Sequence, residues 1–192
     1  MSARGTARPS LIASLALSLA LLCAGLATGF QTSFGTDPVK GPNGGGVSWW
    51  DAFVGVVAVN APALALLYGG ALTAGVVTLI AWPILAIYIG ATLRASMNLI
   101  GAEKVFSTIW VYAPLEFLAM AIGASAGLMP LLSALWTAFI PQSEERPLRA
   151  YLGEIPSTLR MIGIALGLML LAAGIEASVI VLNPALEGRN PP

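Results

Sequence analysis

The stretch VYAPLEFLAMAIGASAG, Val111–Gly127, is apolar enough to lie in a lipid bilayer and yet carries one carboxylate, Glu116. A central Asp costs about 2.5–3.5 kcal/mol on membrane insertion scales, so such a charge persists where it faces a bundle interior or a wet cavity and has a partner. Pro114 precedes Glu116 and removes one helical hydrogen-bond donor. Gly123 and Gly127 follow at the spacing that lets another helix approach closely. One segment therefore combines a helix break, a buried charge and a packing face, unless Glu116 lies at the headgroup level and only favours solvation.

The composition of the whole chain is that of an integral membrane protein. Of its 192 residues, 57% are hydrophobic and only 9% are charged, whereas soluble domains have about 25% charged residues. The apolar runs are long and continuous rather than alternating, which predicts membrane-spanning helices. We therefore predict an all-α polytopic bundle with about five transmembrane segments, some of them kinked or re-entrant. The formal net charge is zero, so we expect the bilayer, other membrane proteins or further copies of the chain as partners, and no nucleic acid.

Leu11–Phe30 predicts the first membrane span. The run has 20 residues without a charge, which is about the length that a helix needs to cross the hydrocarbon core. Arg4 and Arg8 precede it and small residues such as Ala24 lie near its end, so a cleaved signal peptide is the alternative. We expect a retained signal-anchor helix over residues 1–30, an extracytoplasmic loop rich in Gly and Pro over 31–51, and a membrane domain over 52–192.

The middle of the chain predicts a second span at Ala63–Ile80. A break at Asn60–Pro62 is expected to precede it, with residues 52–60 along the membrane interface. Gly70 and Gly75 are predicted to give this span a helix-packing face. Residues 84–93 are too few to cross alone, and they are either the rest of a long kinked helix or a short re-entrant piece.

The second half of the chain is harder to divide. Phe106–Ile140 has 35 residues, which is too long for one straight span and short for two. Pro141–Arg160 is the most polar part and predicts a surface loop with a short interfacial helix. Met161–Leu182 predicts the last span, with Gly163 and Gly167 as a packing pair.

Few polar residues are predicted at membrane depth: Asn60, Glu116, Glu176 and, at a helix end, Arg94. Two carboxylates in one bundle can share a proton, which would allow proton relay or ion passage. A structural ion pair of Glu116 or Glu176 with Arg94 or Arg160 is a second interpretation. Placement of Glu176 at the interface is a third.

The residue types disfavour catalysis. The chain has no histidine, which excludes His-dependent triads, HExxH metal sites and His-ligated haem. Ser125 lies in the run GASAG, which is not a nucleophile elbow. No phosphate-binding loop is present, so ATP-driven activity would need a separate ATPase subunit. We expect no enzyme activity, no metal and no cofactor, and the single Cys23 excludes an intrachain disulfide.

Three blocks of the chain each carry small and polar residues at characteristic positions in an apolar background. Phe53–Thr92 has an early Asn, a Gly-rich middle and a late Gly, at Asn60, Gly69, Gly70, Gly75 and Gly90. Ala113–Leu128 carries Glu116, Ala119, Gly123 and Gly127, and Leu170–Pro184 carries Ile175, Glu176, Ala177 and Pro184. These blocks resemble the stage II sporulation protein M family of small bacterial polytopic membrane proteins. The family usually has His-Gly where Ala113 and Pro114 stand.

The resemblance implies a bacterial inner-membrane protein that anchors partners, in one member during cell-wall remodelling. Arg4 and Arg8 before the first span, and Arg146, Arg149 and Arg160 before the last, place the N-terminus and the later polar segment in the cytoplasm. We therefore expect a non-enzymatic scaffold or subunit of a membrane complex. The alternative is a permease-like transporter or channel subunit that uses its intramembrane carboxylates, and a wet cavity shared by Glu116 and Glu176 would favour it.

Overall fold

The computed structural model describes residues 7–32, 48–139 and 146–182. These residues form six α-helices: α1 (Ala7–Gln31), α2 (Trp49–Tyr68), α3 (Val76–Ile100), α4 (Ala102–Ile109), α5 (Ala113–Phe139) and α6 (Pro147–Leu182). Within the described ranges, five of them are long and apolar enough to cross a membrane, and only the short α4 is not. The predicted all-α polytopic bundle is thereby confirmed. Residues 33–47, most of the predicted extracytoplasmic loop, lie outside the described residues.

Helices α1 and α3 run parallel along a close seam. The Trp82 indole Nε1 donates to the carbonyl oxygen of Ser18 at 2.9 Å, and Arg94 Nη1 donates to that of Phe30 at 3.3 Å. Gly25 and Gly29 let the two backbones meet, because a Cβ on either glycine would overlap atoms of α3. This glycine pair has the spacing of a close-packing face, and the sequence analysis did not single it out.

The other spans alternate in direction with α1. Helix α2 is antiparallel to α6, since Trp49 Nε1 donates to Ser178 Oγ at 3.0 Å and Tyr68 Oη contacts Thr158 Oγ1 at 3.3 Å. Helix α5 is antiparallel to α1, since Ser14 Oγ lies 2.7 Å from Ser125 Oγ and Ser18 Oγ donates to the carbonyl oxygen of Ala121 at 2.9 Å. The direction of the chain thus reverses from one long helix to the next, as successive membrane spans require.

Helix α5 lies at the centre of the bundle. In its most apolar window, 61% of the residues are buried, against 17–33% in the other four spans. Gly123 faces the side chain of Leu64, and Gly127 faces the carbonyl of Leu67 and the hydroxyl of Thr78. The predicted packing role of these two glycines therefore agrees with the structure, and Gly70 joins them beside Thr78 and Gly127.

The predicted break at Asn60–Pro62 is wrong. Helix α2 continues through Pro62, because apolar residues on both sides keep the segment helical in lipid and a proline inside a membrane helix is tolerated. The chain reverses instead at Gly69–Gly75, where Ala74 and Gly75 have φ values of 49° and 81°. The predicted span Ala63–Ile80 is therefore wrong as well, since it holds the end of α2, this turn and the start of α3, and Gly75 lies in the turn.

In three later segments the helices either differ from the prediction or decide between the alternatives that it left open. Residues 84–93 belong to the 25-residue helix α3. Phe106–Ile140 contains only the last turn of α4 and then one full span, α5, with Pro114 in its first turn, where the missing N–H costs little. The surface loop predicted over Pro141–Arg160 is wrong from residue 147 onward, since those residues are helical and continuous with the last span in the 36-residue α6.

The packing pair predicted on α6 makes no close contact within the described part of the chain, so its packing against another protein or a second copy stays a prediction. Gly163 and Gly167 are exposed, and an added Cβ on either would have no atom within 4 Å. The buried face of α6 is lined instead by Ala165, Met169, Ala172, Ala173 and Ala177. Alanine on this face gives almost the same close approach as glycine while favouring the helix.

We expect Gly127→Ala to destabilise the bundle and Gly167→Ala to leave it unchanged or slightly more stable. The first methyl group would overlap the Leu67 carbonyl, and overpacking of this kind typically costs about 1–3 kcal/mol. The second points into open space. Thermal unfolding in detergent, followed by helical circular dichroism, compares the two variants, and equal midpoints would contradict the central position of α5.

Candidate functional site

Glu116 lies in the first turn of α5, beside a tight change of direction. Helix α4 ends at Ile109, and the backbone N–H of Tyr112 donates to the carbonyl of Ile109 at 3.2 Å. The N–H of Glu116 in turn donates to the carbonyl of Tyr112 at 3.2 Å. An acidic side chain at a helix N-terminus interacts favourably with the helix dipole. The start of α5 therefore offsets part of the cost of a carboxylate at this position.

Two other helices bring polar groups to Glu116. Asn60 of α2 donates from Nδ2 to Glu116 Oε1 at 2.9 Å. Glu176 of α6 lies near Glu116, and both side chains line the same cavity. All three side chains are half-buried. Three of the four polar residues predicted at membrane depth are thus assembled into one cluster.

The cluster opens into a cavity of about 290 Å³. The residues with polar groups in its lining are Asn60, Tyr88, Thr92, Ser96, Tyr112, Glu116 and Glu176, and most of the remaining lining is apolar. The volume has room for several water molecules, which would find hydrogen-bond partners only at these polar groups. The two carboxylates therefore face a common space that water can occupy.

The cavity extends from the middle of the bundle to one end. Asn60 is near the midpoint of α2, and Tyr88 is near the midpoint of α3. Val105 and Ile109 of α4 close the far end. Tyr88 is 67% exposed, so the cavity also reaches the flank of the bundle. Helix α4 therefore closes one end of the cavity.

Tyr112 is the site residue that the sequence analysis missed. Burial, followed by the negative charges of Glu176 and Glu116, raises the pKa of its hydroxyl above the usual value. The phenol therefore stays neutral and keeps its proton as a donor facing the carboxylates. Its position one helical turn before Glu116 was the available signal, since residues four apart share a helix face.

Arg94 is not part of the cluster. Its guanidinium donates to Phe30 O and lies 5.1 Å from the centre of the Phe30 ring, at the C-terminal end of α1. Arg160 is exposed on α6. Within the described part of the chain, neither arginine forms the predicted ion pair with Glu116 or Glu176, because Arg94 lies on the face of α3 that meets α1 and is already bound there. Glu176 lines the cavity near the C-terminal end of α6, and its placement at the membrane interface stays a prediction.

No family model matches the chain, and no curated protein or solved structure matches it. The resemblance to the stage II sporulation protein M family therefore stays a prediction that depends on the three sequence blocks.

We expect Asn60→Leu to destabilise the protein by about 1–3 kcal/mol, because it leaves a half-buried carboxylate without its amide donor. The double variant Asn60→Leu with Glu116→Leu should recover much of that loss, since both partners become apolar. Asn98→Leu, on an exposed part of α3, is the matched control and should change stability little. Thermal unfolding in detergent measures all three, and an effect of Asn60→Leu no larger than that of Asn98→Leu would contradict the contact.

Proposed function

We propose that this protein is a permease-like transporter or channel subunit in which Glu116 and Glu176 take up and release a proton or a small cation. The observation that carries the proposal is that both carboxylates, with Asn60 between α2 and α5, line one cavity. The sequence alone leaves scaffold and transport open, and a shared wet cavity is the feature that favours transport.

Two carboxylates that line one cavity repel each other when both are charged. At 4 Å, two unit charges repel by about 4 kcal/mol at an effective dielectric constant of 20, and more strongly in a drier site. A proton or a cation held between Glu116 and Glu176 removes this repulsion, so the pair favours binding one positive charge. Because the two groups are coupled, the bound proton belongs to the pair rather than to either residue.

The residues around Glu116 and Glu176 favour release of the bound proton or cation as well as its binding. Asn60 donates to Glu116, the start of α5 stabilises negative charge, and the Tyr112 hydroxyl faces the same space. These neutral donors stabilise the pair after the positive charge has left. An arginine or lysine beside Glu116 and Glu176 would instead neutralise the pair permanently. Among the described residues, neither Arg94, which binds Phe30, nor the exposed Lys104 lies there.

The proposal places the chain in the bacterial cytoplasmic membrane with a cytoplasmic N-terminus. The distribution of arginines supports this orientation. Helix α4 and the carboxylate end of the cavity then lie toward the outside. We propose no catalytic activity for the chain itself, so the driving force is an ion gradient or a separate ATPase.

A second candidate is the scaffold or complex subunit, with a link to cell-envelope remodelling as one version of it. It is favoured by the exposed pair Gly163 and Gly167 on α6, since no atom of the described chain lies within 4 Å of a Cβ added to either glycine. Such a face lets a helix of another membrane protein or of a second copy approach closely. The two candidates are compatible, since transport subunits also assemble.

Proton flux into liposomes tests the first proposal. The purified protein is reconstituted with an internal pH-sensitive dye, and a pH gradient is imposed. We expect Glu116→Gln and Glu176→Gln to reduce the flux to the level of empty liposomes, because the amide cannot carry the proton. Glu103→Gln, on the exposed surface of α4, should retain wild-type flux. Wild-type flux in both cavity variants would contradict the proposal and favour the scaffold.

Cross-linking in the native membrane tests the second. We expect Gly167→Leu to abolish cross-linked complexes, because the larger side chain keeps another helix from approaching this face of α6. Gly55→Leu on α2 is the matched control, since that glycine also has open space beyond it but has no glycine partner four residues away. Unchanged complexes in Gly167→Leu would contradict a docking role for this face.

A further inference from the structure

A polar pocket lies where the end of α1 meets α3. Its volume is about 190 Å³, and its polar side chains are Gln31, Thr32, Arg94 and Asn98. None of these four residues lines the carboxylate cavity. Among the described lining residues, Arg94 is the one that carries a charge. The polar pocket is therefore a positively charged space, separate from the candidate functional site.

The end of α1 holds the Arg94 guanidinium at this pocket. Nη1 donates to the carbonyl oxygen of Phe30 at 3.3 Å, and the guanidinium lies 5.1 Å from the centre of the Phe30 ring. A guanidinium has five N–H donors, and among the described residues this is the one hydrogen bond that Arg94 makes. The side chain is exposed, as are those of Gln31 and Asn98. The pocket therefore presents several N–H donors to a ligand.

An apolar groove adjoins the polar pocket. Its volume is about 380 Å³, and its apolar lining consists of Leu26, Ala27, Phe30, Gly90, Leu93 and Phe117. Phe30 and Gln31 line both spaces, so the two are continuous. Leu26 lies four residues before Phe30, which is about 6 Å deeper along α1. Ala27 is exposed, so the groove opens on the outer surface of the bundle.

The order of the two spaces matches the order of the parts of a phospholipid. Helix α1 is a candidate membrane span that ends at Gln31, so the polar pocket lies toward the membrane surface and the apolar groove lies deeper. Guanidinium groups bind phosphate oxygens through paired N–H donors. A phosphate bound to Arg94 would therefore place an attached acyl chain in the groove, against Leu26 and Phe117.

Capping of α1 is the simpler role of Arg94. A basic side chain near a helix C-terminus stabilises the last carbonyl groups, which accounts for the contact with Phe30. It does not account for the apolar groove beside the pocket. The contacts of Arg94 within the described residues are the carbonyl and the ring of Phe30, so no described carboxylate neutralises its charge. A charge in or near the bilayer is costly when it has no partner.

We propose that the polar pocket and the apolar groove together bind one anionic phospholipid of the surrounding bilayer. The phosphate binds Arg94, and one acyl chain fills the groove. The lipid is anionic because the described lining offers a positive charge and no carboxylate for the cationic group of a zwitterionic lipid. This site is independent of the proposed transport function, since neither Glu116 nor Glu176 lines it.

Native mass spectrometry of the purified protein, delipidated in detergent, tests the site. The probes are dioleoyl phosphatidylglycerol, which is anionic, and dioleoyl phosphatidylcholine, which is zwitterionic. We expect the wild-type protein to retain one phosphatidylglycerol and to bind phosphatidylcholine about tenfold more weakly, because the charge-assisted contact is then offset. Equal retention of the two lipids would overturn the proposal without any variant.

Two variants examine the two parts of the site. Arg94→Gln removes the charge and keeps an N–H donor for the Phe30 carbonyl, and Ala27→Phe fills the groove while leaving Arg94 in place. We expect each to weaken phosphatidylglycerol binding by about tenfold. The matched controls are Arg160→Gln and Ala20→Phe, which change exposed residues outside both spaces and should bind like the wild type.

The pattern of losses distinguishes a lipid from a free anion. Weaker binding in both site variants and in neither control supports the phospholipid site. A loss in Arg94→Gln with wild-type binding in Ala27→Phe would show that the pocket recognises a phosphate group alone, as it would free inorganic phosphate, and overturns the proposal. An equal loss in Arg160→Gln would show general attraction to positive charge and overturns it as well.

Discussion

A polar group inside a membrane bundle must find its partner within the protein, because lipid offers none, and this constraint organises the structure. Within the described residues, every buried side-chain nitrogen or oxygen has a hydrogen-bond partner. Thr78 donates to the carbonyl of Leu67 and Trp82 to that of Ser18, so each bond ties a helix to its neighbour. The apolar surfaces of these helices would allow many relative registers. The specific polar contacts therefore select one of them.

The same constraint explains why the site lies where it does. From Ala119 to Pro130, α5 is almost wholly buried among close-packed helices, and small residues there leave no space for water. At Glu116 and Phe117 the side chains are only half-buried, and the cavity begins. A charged pair is tolerated at this end because the packing loosens there, and it would not be tolerated one or two turns further along α5.

Much of the fold could be predicted from composition and apolar length, and part of the site from residue type. The first span, the number of spans and the membrane depth of Asn60 and Glu116 depend on local sequence. The predicted break at Asn60–Pro62 depends on rules for helices in water, whereas in lipid a helix with one missing hydrogen bond is more stable than an unpaired backbone. The turn at Gly69–Gly75 lay inside an apolar run, so hydropathy gave no sign of it.

The partners of the site residues could not be predicted from the sequence. Asn60 and Glu176 are far from Glu116 along the chain, and only the packing of α2 and α6 on α5 brings them together. Glu154 belongs to the predicted surface loop, whereas in the structure it is buried on α6 beside Ser10, and serines such as those of α1 occur in many membrane helices. Their significance depends on which faces meet, which is a property of the whole bundle.

The central claim is that the carboxylates face a water-filled space, and cysteine labelling tests it most directly. In a Cys23→Ser background, Ser96→Cys places one thiol in the cavity lining, and Leu118→Cys places one on the exposed apolar surface of α5. The account predicts that a water-soluble thiol reagent labels position 96 in intact membranes and leaves position 118 unlabelled. Protection of position 96 equal to that of position 118 would show a dry cavity and contradict the account.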